Sequence, residues 1–428
     1  MNPQQPSLLQ RDSQVIWHPF TQHKTTALPL PIVRGEGVYL FDERGNRYID
    51  AISSWWTNLH GHAHPYLARK IHEQALQLEH VLFAGCTHEP AVSLAERVLR
   101  LLPGGFSRIF YSDNGSTSVE VAVKMAIQYH RNCGRTRRNR ILALTHAYHG
   151  DTFGSMSVSG RSVFTEAFRD LLFEVHFIHL PELHEPDSFR LPEIDPEEVA
   201  CLVYEPLVQG AGGMRMYQPA ALSRLLAFCQ ANGILCIADE VMTGFGRTGK
   251  IFASEHVAEQ PDLICLSKGL TGGSLPLAIT ACHSRVFEAF LSDDLHQTFF
   301  HGHSFTANPL ACAAALASLD LLEDPACGQA IAALSARHQA FVQQLENSDF
   351  PRPVSHARSL GTILAFELHS DQKEYLDKVR EETMEQALDW GVLLRPLGNT
   401  LYVLPPYCIT GSQLDQVYEA ILRILQRP

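Results

Sequence analysis

The chain has 428 residues, 45% of them hydrophobic and 19% charged, an ordinary globular composition at a length that exceeds what one core usually supports. Lysine and arginine total 34 against 46 acidic residues, a formal charge of −12, which argues against nucleic acid or anionic lipid as the main partner because both want clustered positive charge. Ten cysteines with no Cys-x-x-Cys pair argue against a disulfide framework or a zinc module and read as reduced thiols of a cytoplasmic protein.

The first twenty residues lack a basic start followed by an apolar block, so no secretory signal is expected. No stretch reaches the ~20 apolar residues that a membrane span needs. Residues 38–52 (VYLFDERGNRYIDAI) read as a hairpin turning at Glu43–Asn46. A strand follows at Arg108–Ser112, and Val119, Ala122, Val123, Ala126 and Ile127 recur at helical spacing. Short apolar runs at Ile141–Leu144, Cys201–Tyr204, Ile234–Ala238 and Leu263–Leu266 alternate only weakly. Strands buried on both faces look like this, so the runs predict a mainly parallel sheet covered by helices. The proline- and acid-rich stretch 180–198 reads as a surface excursion, and 310–322 as a buried helix. Near the end, Gly391–Leu394 and Leu401–Leu404 read as strands around a turn. A capping box at Thr410–Gln413 then opens a helix with Leu414, Val417, Ile421 and Leu425 on its buried stripe. The expected architecture is α/β: a large domain at 55–325, and a smaller α+β domain assembled from 1–54 and 326–428.

The segment GFGRTGK at 244–250 matches G-x-G-x-x-G, yet Ile251 stands where a P-loop needs Ser or Thr. Pro261 also leaves little room for the crossover helix of a dinucleotide fold. A glycine-rich loop packing near a site is the better reading, and a nicotinamide oxidoreductase the remote alternative. The close histidines His60, His62, His64, His301 and His303 lack any motif that completes a metal shell, so no metal is expected. A stronger signal lies at two strand ends. One apolar run finishes in Asp239-Glu240 and the next in Ser267-Lys268-Gly269, and α/β sites gather at the carboxyl ends of strands. Asn114-Gly115-Ser116 lies between a strand and a helix, where exposed N–H groups favour a phosphate. An acid, a desolvated lysine and a phosphate cradle are together what pyridoxal phosphate requires. The lysine holds its aldehyde as a Schiff base, the acid keeps the pyridine nitrogen protonated, and the helix start anchors the phosphate.

Around these residues, AYHGDTFG at 147–154, EPLVQGAGGM at 205–214, LCIADEVMTGFGRTGK at 235–250, LSKGLTGG at 266–273 and HGHSFTANPLACAAA at 301–315 resemble the class III (ω-amino group) aminotransferases of the fold-type I pyridoxal-phosphate superfamily. IWHPFTQ at 16–22, SSWW at 53–56, QGAGGMRMY at 209–217 and LLRPLGNTLYVLPPY at 393–407 are similar to the branch of that family serving biotin biosynthesis. The resemblance implies amino transfer to 8-amino-7-oxononanoate, giving 7,8-diaminononanoate, with S-adenosylmethionine as donor. The alternative is another class III aminotransferase acting on a diamine or ω-amino acid. Carried over by motif, Lys268 is the Schiff-base lysine, Asp239 the partner of the pyridinium nitrogen and Tyr148 the stacking ring. Gly115 and Ser116 hold the phosphate, and Glu205 supports the cofactor site. Ser304 reaches the cofactor of a second subunit, which implies a homodimer with shared sites. Arg395 clamps a substrate carboxylate, and Trp55, Gly302 and Tyr402 line the substrate channel. Phe20 stands where the resembling enzymes commonly carry tyrosine, so the resemblance places it at the substrate without a hydroxyl.

Overall fold

The computed structural model describes residues 6–185, 188–369 and 378–427. After an exposed helix, Leu8–Val15, the chain forms an antiparallel set of β1 (Ile32–Glu36), β2 (Tyr39–Asp42) and β3 (Arg47–Asp50). The carboxylate of Asp42 accepts the backbone N–H groups of Arg44 and Asn46 and so closes the turn between β2 and β3, a side-chain substitute for a backbone turn bond.

The chain then lays down β4 (Arg108–Ser112), β5 (Arg140–Leu144), β6 (His176–Ile178) and β7 (Val199–Tyr204). A two-stranded ribbon, β8 (Val208–Gln209) with β9 (Arg215–Met216), precedes β10 (Leu235–Asp239), β11 (Leu263–Leu266) and β12 (Ala278–Cys282). Seven of these make the central sheet in the order β4-β12-β11-β10-β7-β5-β6. Its β6-β5-β7-β10-β11 pairings are parallel, whereas β12 runs antiparallel to both its neighbours. The apolar runs anticipated the parallel strands β5, β7, β10 and β11. They did not reveal β12, nor the three-residue edge strand β6. Only residues 267–277 join β11 to β12, and a parallel return needs a crossover of a dozen residues or more, so the chain turns straight back.

Every residue of β7, β10, β11 and β12 is buried. The helix Gly115–Asn132 covers one face with Val119, Ala122, Val123 and Ala126. Helices Glu89–Leu101, Pro219–Ala231 and Pro309–Leu322 contribute to the apolar layer on the other. A separate apolar cluster joins Val38, Ile49 and Ala51 to Leu334, Phe341, Phe366, Val403, Val417 and Ile421. It is framed by β13 (Val354–Leu360), β14 (Ile363–Leu368), β15 (Val392–Leu393) and β16 (Thr400–Val403). The expected turn lies between the two C-terminal strands, Leu397 and Thr400 bonding reciprocally at 2.9–3.0 Å, but the strands do not pair with each other. β15 pairs in parallel with β3, whereas β16 pairs with β14, so the segment between them, 394–399, passes from one sheet to the other. The last helix opens with the anticipated capping box, Thr410 and Gln413 bonding reciprocally, and buries the expected stripe. Among the described residues no helix is long and apolar enough to cross a membrane.

Candidate active site

The carboxyl ends of β4, β10 and β11 converge on a cavity of about 530 Å³. Lys268, Gly115, Ser116, Tyr148, Trp55 and Phe20 lie on its wall, together with Trp56, Val241, Phe164 and Leu397.

Lys268 opens a 3₁₀ turn just past β11 and holds a left-handed backbone, φ 45°, a conformation that costs a non-glycine residue energy and persists where surroundings over-determine it. Ser267 anchors the approach by donating its hydroxyl to the Leu277 carbonyl at 2.8 Å. Burial disfavours the ammonium form of Lys268 and depresses its pKa, with Asp239 and Glu205 opposing that shift. Its amine sits 4.8 Å from the centre of the Trp56 ring.

Asp239 ends β10 and is 5% exposed. One carboxylate oxygen accepts the N–H of Val241 at 3.0 Å, and the other lies 2.7 Å from Nδ1 of His149. An ionised carboxylate only accepts, so the His149 proton must sit on Nδ1. Nε2 of His149 is buried with no hydrogen-bond partner among the described residues. Glu240, the next residue, points the other way, as strand alternation requires. It takes N–H bonds from Ala253 and Ser254 and hydroxyl bonds from Ser254 and Thr243. The two adjacent acids therefore divide their work, Asp239 beside the cavity and Glu240 inside the loop that follows.

That loop contains the GFGRTGK segment. It folds as consecutive turns and leads only to a short 3₁₀ helix, Ala253–His256. Gly361, in the turn between β13 and β14, comes so close that an added Cβ there would lie 2.2 Å from the backbone at Thr248 and Gly249, so the loop packs backbone against backbone. The loop carries Arg247 into the interior at 1% exposure. There its guanidinium donates to the carbonyls of Pro405, Trp56 and Asn58 at 3.1–3.2 Å.

Glu205 is buried and receives the N–H groups of Tyr148 at 2.9 Å and Gly210 at 2.8 Å. Burial pushes its carboxyl up to about 7. It therefore shapes the backbone beneath the Tyr148 ring and does not itself form the wall. Gly115 and Ser116 begin the helix Gly115–Asn132, whose cap Asn114 accepts the Thr117 N–H. The first N–H groups of a helix have no intrahelical acceptor and favour an anion. An added Cβ at Gly115 would stand 2.7 Å from Val241, and one at Gly150 only 1.9 Å from the Ser116 hydroxyl. The cradle is thus narrow and built for close backbone approach.

At the front, Phe20 meets Trp55 edge-on with centroids 5.4 Å apart, and Phe164 at 5.8 Å. The guanidinium of Arg395 lies over Trp55, 4.7 Å from its centre. Tyr402 does not line this cavity. It is 1% exposed and packs behind Trp56 at 6.1 Å, because β16 lies within a sheet and the left-handed turn carrying Trp56 covers it. Gly302 and Ser304 lie outside the wall of their own chain, in a segment flanked by the exposed rings of Phe300 and Phe305. Sequence reasoning left His149, Val241, Phe164 and Leu397 without roles. His149 falls inside the AYHGDTFG segment and Leu397 inside the Arg395 segment, whereas Phe164 had no local signal.

A half-buried lysine whose pKa is depressed by desolvation, a buried carboxylate oriented by a histidine, and a helix start opened by a glycine match the aldehyde, ring nitrogen and phosphate of pyridoxal phosphate. The model of the family described as aminotransferase class-III matches residues 20–425. The chain is 48% identical to the adenosylmethionine-8-amino-7-oxononanoate aminotransferase of Synechococcus elongatus, covering 96% of this chain and 98% of that one. The protein of the same name from Geobacter sulfurreducens is 40% identical, covering 96% and 95%. Among solved structures, that of the same-named enzyme from Methanocaldococcus jannaschii superposes with a TM-score of 0.90 at 35% identity, over 97% of this chain and 98% of that one. An amine transaminase from an uncultivated Pseudomonas species, in its PLP-bound form, gives 0.88 at 32%, over 96% and 98%. The chain belongs to the class III aminotransferases, pyridoxal-phosphate-dependent enzymes of the fold-type I architecture.

Proposed function

We propose that the enzyme moves an amino group from S-adenosylmethionine to 8-amino-7-oxononanoate in biotin biosynthesis, acting as a cytoplasmic homodimer. The observation that carries this reading is the front wall: Phe20, Trp55 and Trp56 on the cavity that holds Lys268, with Trp56 beside its amine and Arg395 laid across Trp55. One cavity must take two unlike substrates in turn. Aromatic faces suit the apolar chain of the amino ketone and attract a sulfonium cation. A guanidinium next to them suits the carboxylate at the far end of the chain, where bidentate bonds give orientation as well as affinity. The similarity to relatives bearing that enzyme's name at 48% and 40% identity points the same way.

When bound, pyridoxal phosphate supplies an electron-poor ring that accommodates the electron pair left behind at the substrate carbon. Asp239 keeps a negative charge beside the ring nitrogen's place, and His149 holds that carboxylate in one orientation. Gly115 and Ser116 present the helix start to the phosphate. Tyr148, its backbone fixed by Glu205, offers an aromatic face. Lys268, whose neutral amine is favoured by burial, takes the proton from the substrate carbon and returns it nearby, and its place within the cavity lets one amine serve both positions. Trp55, Trp56 and Phe20 exclude water around the amine. Ser304, set in a segment of exposed aromatic residues, reaches the phosphate of the second subunit.

The test is a screen of amino donors with the purified holoenzyme, following loss of the visible absorbance of the bound aldehyde in single half-turnovers. S-adenosylmethionine should discharge it, and 8-amino-7-oxononanoate should restore it. Discharge by lysine, a diamine or an ω-amino acid, with no recovery on adding 8-amino-7-oxononanoate, would assign the enzyme to another branch of the family.

A further inference from the structure

The two tryptophans of the wall stand on an unusual piece of backbone. Ser53, Ser54, Trp55 and Trp56 have φ of 51°, 45°, 70° and 73°, and ψ is 53° at Ser54 and 47° at Trp55. This is a turn of left-handed helix built from four L-residues, none of them glycine. Left-handed geometry brings Cβ against the next carbonyl oxygen, so such residues normally occur singly. A run of them survives only where neighbouring groups hold it.

Those groups are identifiable. The Ser53 hydroxyl donates to the Leu404 carbonyl at 2.7 Å, and the Trp56 carbonyl accepts from Arg247 at 3.2 Å. Asp50, with 0% exposure, reaches forward from the end of β3. Its Oδ1 accepts the Ile52 N–H at 3.2 Å and its Oδ2 the Ser54 hydroxyl at 2.7 Å. The same Oδ2 lies 2.9 Å from Nε2 of His62. On the far side of that ring, Asn58 offers its amide to Nδ1 at 3.2 Å, while its Oδ1 accepts the Gly61 N–H at 2.7 Å. The histidine is pressed into place from outside, since an added Cβ on Gly35 would stand 2.6 Å from His62 Cβ. On the inner side, an added Cβ at Gly273 would lie 2.9–3.0 Å from the backbone of Thr57 and Asn58, where the turn ends.

We propose that Asp50, oriented by His62, is a positioning residue that holds the left-handed turn and so sets the span between Trp55 and Trp56 that a substrate must enter. Asp50 does not line the cavity, and neither does Ser54. Their effect passes through Trp55, which meets Phe20 and Arg395, and Trp56, which meets Lys268. The inference rests on this cavity being the amino-transfer site and is independent of which amine enters it.

The test compares Ser54→Ala with Ser54→Gly in the full-length protein. Both remove the hydroxyl bond to Asp50 and leave the Asp50–His62 pair in the interior. Alanine resists the left-handed conformation, whereas glycine takes it without steric cost. With the holoenzyme, S54A should raise KM for the amino acceptor about tenfold with kcat changed less than about threefold, the scale of one lost hydrogen bond. S54G should return KM to within about threefold of the parent. Near-ultraviolet circular dichroism of the cofactor-free protein should show altered tryptophan bands in S54A and parental bands in S54G. Asp50→Asn, which weakens the grip on the turn while keeping the side chain's shape, should shift both readouts further in the direction of S54A. Equal KM values and equal tryptophan bands in S54A and S54G would overturn the proposal, as would a loss confined to kcat. If 8-amino-7-oxononanoate fails as acceptor, the assigned substrate is wrong. The dichroism of the two Ser54 variants still reports on the turn.

Discussion

The back and front of the cavity are built on opposite plans. The back consists of strand ends: Asp239 closes β10, Lys268 follows β11, and the Gly115 helix start follows β4. Asp239 and Lys268 are spaced by the parallel β10–β11 ladder, and the helix start after β4 is tied to them through the antiparallel β12. The strands β10, β11 and β12 are buried throughout, so chemistry that tolerates little displacement rests on the least deformable part of the molecule. The front consists of irregular backbone. Phe20 and the turn Ser53–Trp56 have positive φ, and Arg395 lies on the crossing between two sheets. Its geometry is held by individual side-chain bonds. Rate should therefore depend on the back, and substrate choice on the front.

That division can be broken at either end. The largest effect belongs to Lys268→Ala, which should lower turnover by at least about 10³-fold, the weight of a lost proton-transfer group. Borohydride reduction of the parent should label the peptide containing Lys268, and labelling of any other lysine would move the catalytic centre. Asp239→Asn should reduce kcat by about 10²–10³-fold, a typical cost of removing a preorganised electrostatic partner. Cofactor binding, measured by dialysis and absorbance, should remain. A change confined to KM would mean that Asp239 belongs with the front.

Glu205 tests the back through stability. Its carboxyl rises from 4.5 to about 7 on burial, so between those values the folded chain binds a proton that the unfolded chain has released. Stability from this group is present at low pH and declines as pH rises through that window. Urea unfolding of the cofactor-free protein at pH 5 and pH 8 should show the decline, and Glu205→Gln should flatten it. An unchanged slope in the variant would assign the pH dependence to other groups.

The front should respond more mildly. Trp55→Leu should raise the apparent KM of both substrates by about 3–30-fold, from lost aromatic contact and cation attraction, with kcat nearly kept. A kcat collapse with KM unmoved would erase the distinction. Phe20→Tyr is the smallest change, since one added hydroxyl moves affinity by no more than about tenfold. A comparison of KM for each substrate will show which of them meets that position.

The legible part of the molecule was the back. The runs at Leu263–Leu266 and Ile234–Ala238 marked buried strands because a strand covered on both faces is apolar throughout, and α/β sites gather at the carboxyl ends of such strands, where Asp239 and Lys268 stand. The antiparallel β12 escaped because AITAC is a short run of mostly small residues without a strand's period, and the edge strand β6 because three residues make no pattern. Tyr402 was expected on the channel because the resemblance of the 393–407 segment carried it there. Its place behind Trp56 depends on a turn whose handedness no periodicity encodes.

The amino-acid order alone determined which residues could carry the chemistry: one lysine and one acid at the ends of apolar strands, and a glycine–serine helix start between strand and helix. These follow from local pattern, because a strand buried on both faces is apolar along its whole length and a helix start shows in its capping residues. Tertiary structure alone decided that Asp239 and not Glu240 meets His149, that Arg247 enters the core to bind the Trp56 carbonyl, and that four L-residues adopt a left-handed turn. Each of these depends on a partner from a distant part of the chain, and a conformation disfavoured by its own residues exists only once those partners have been assembled around it.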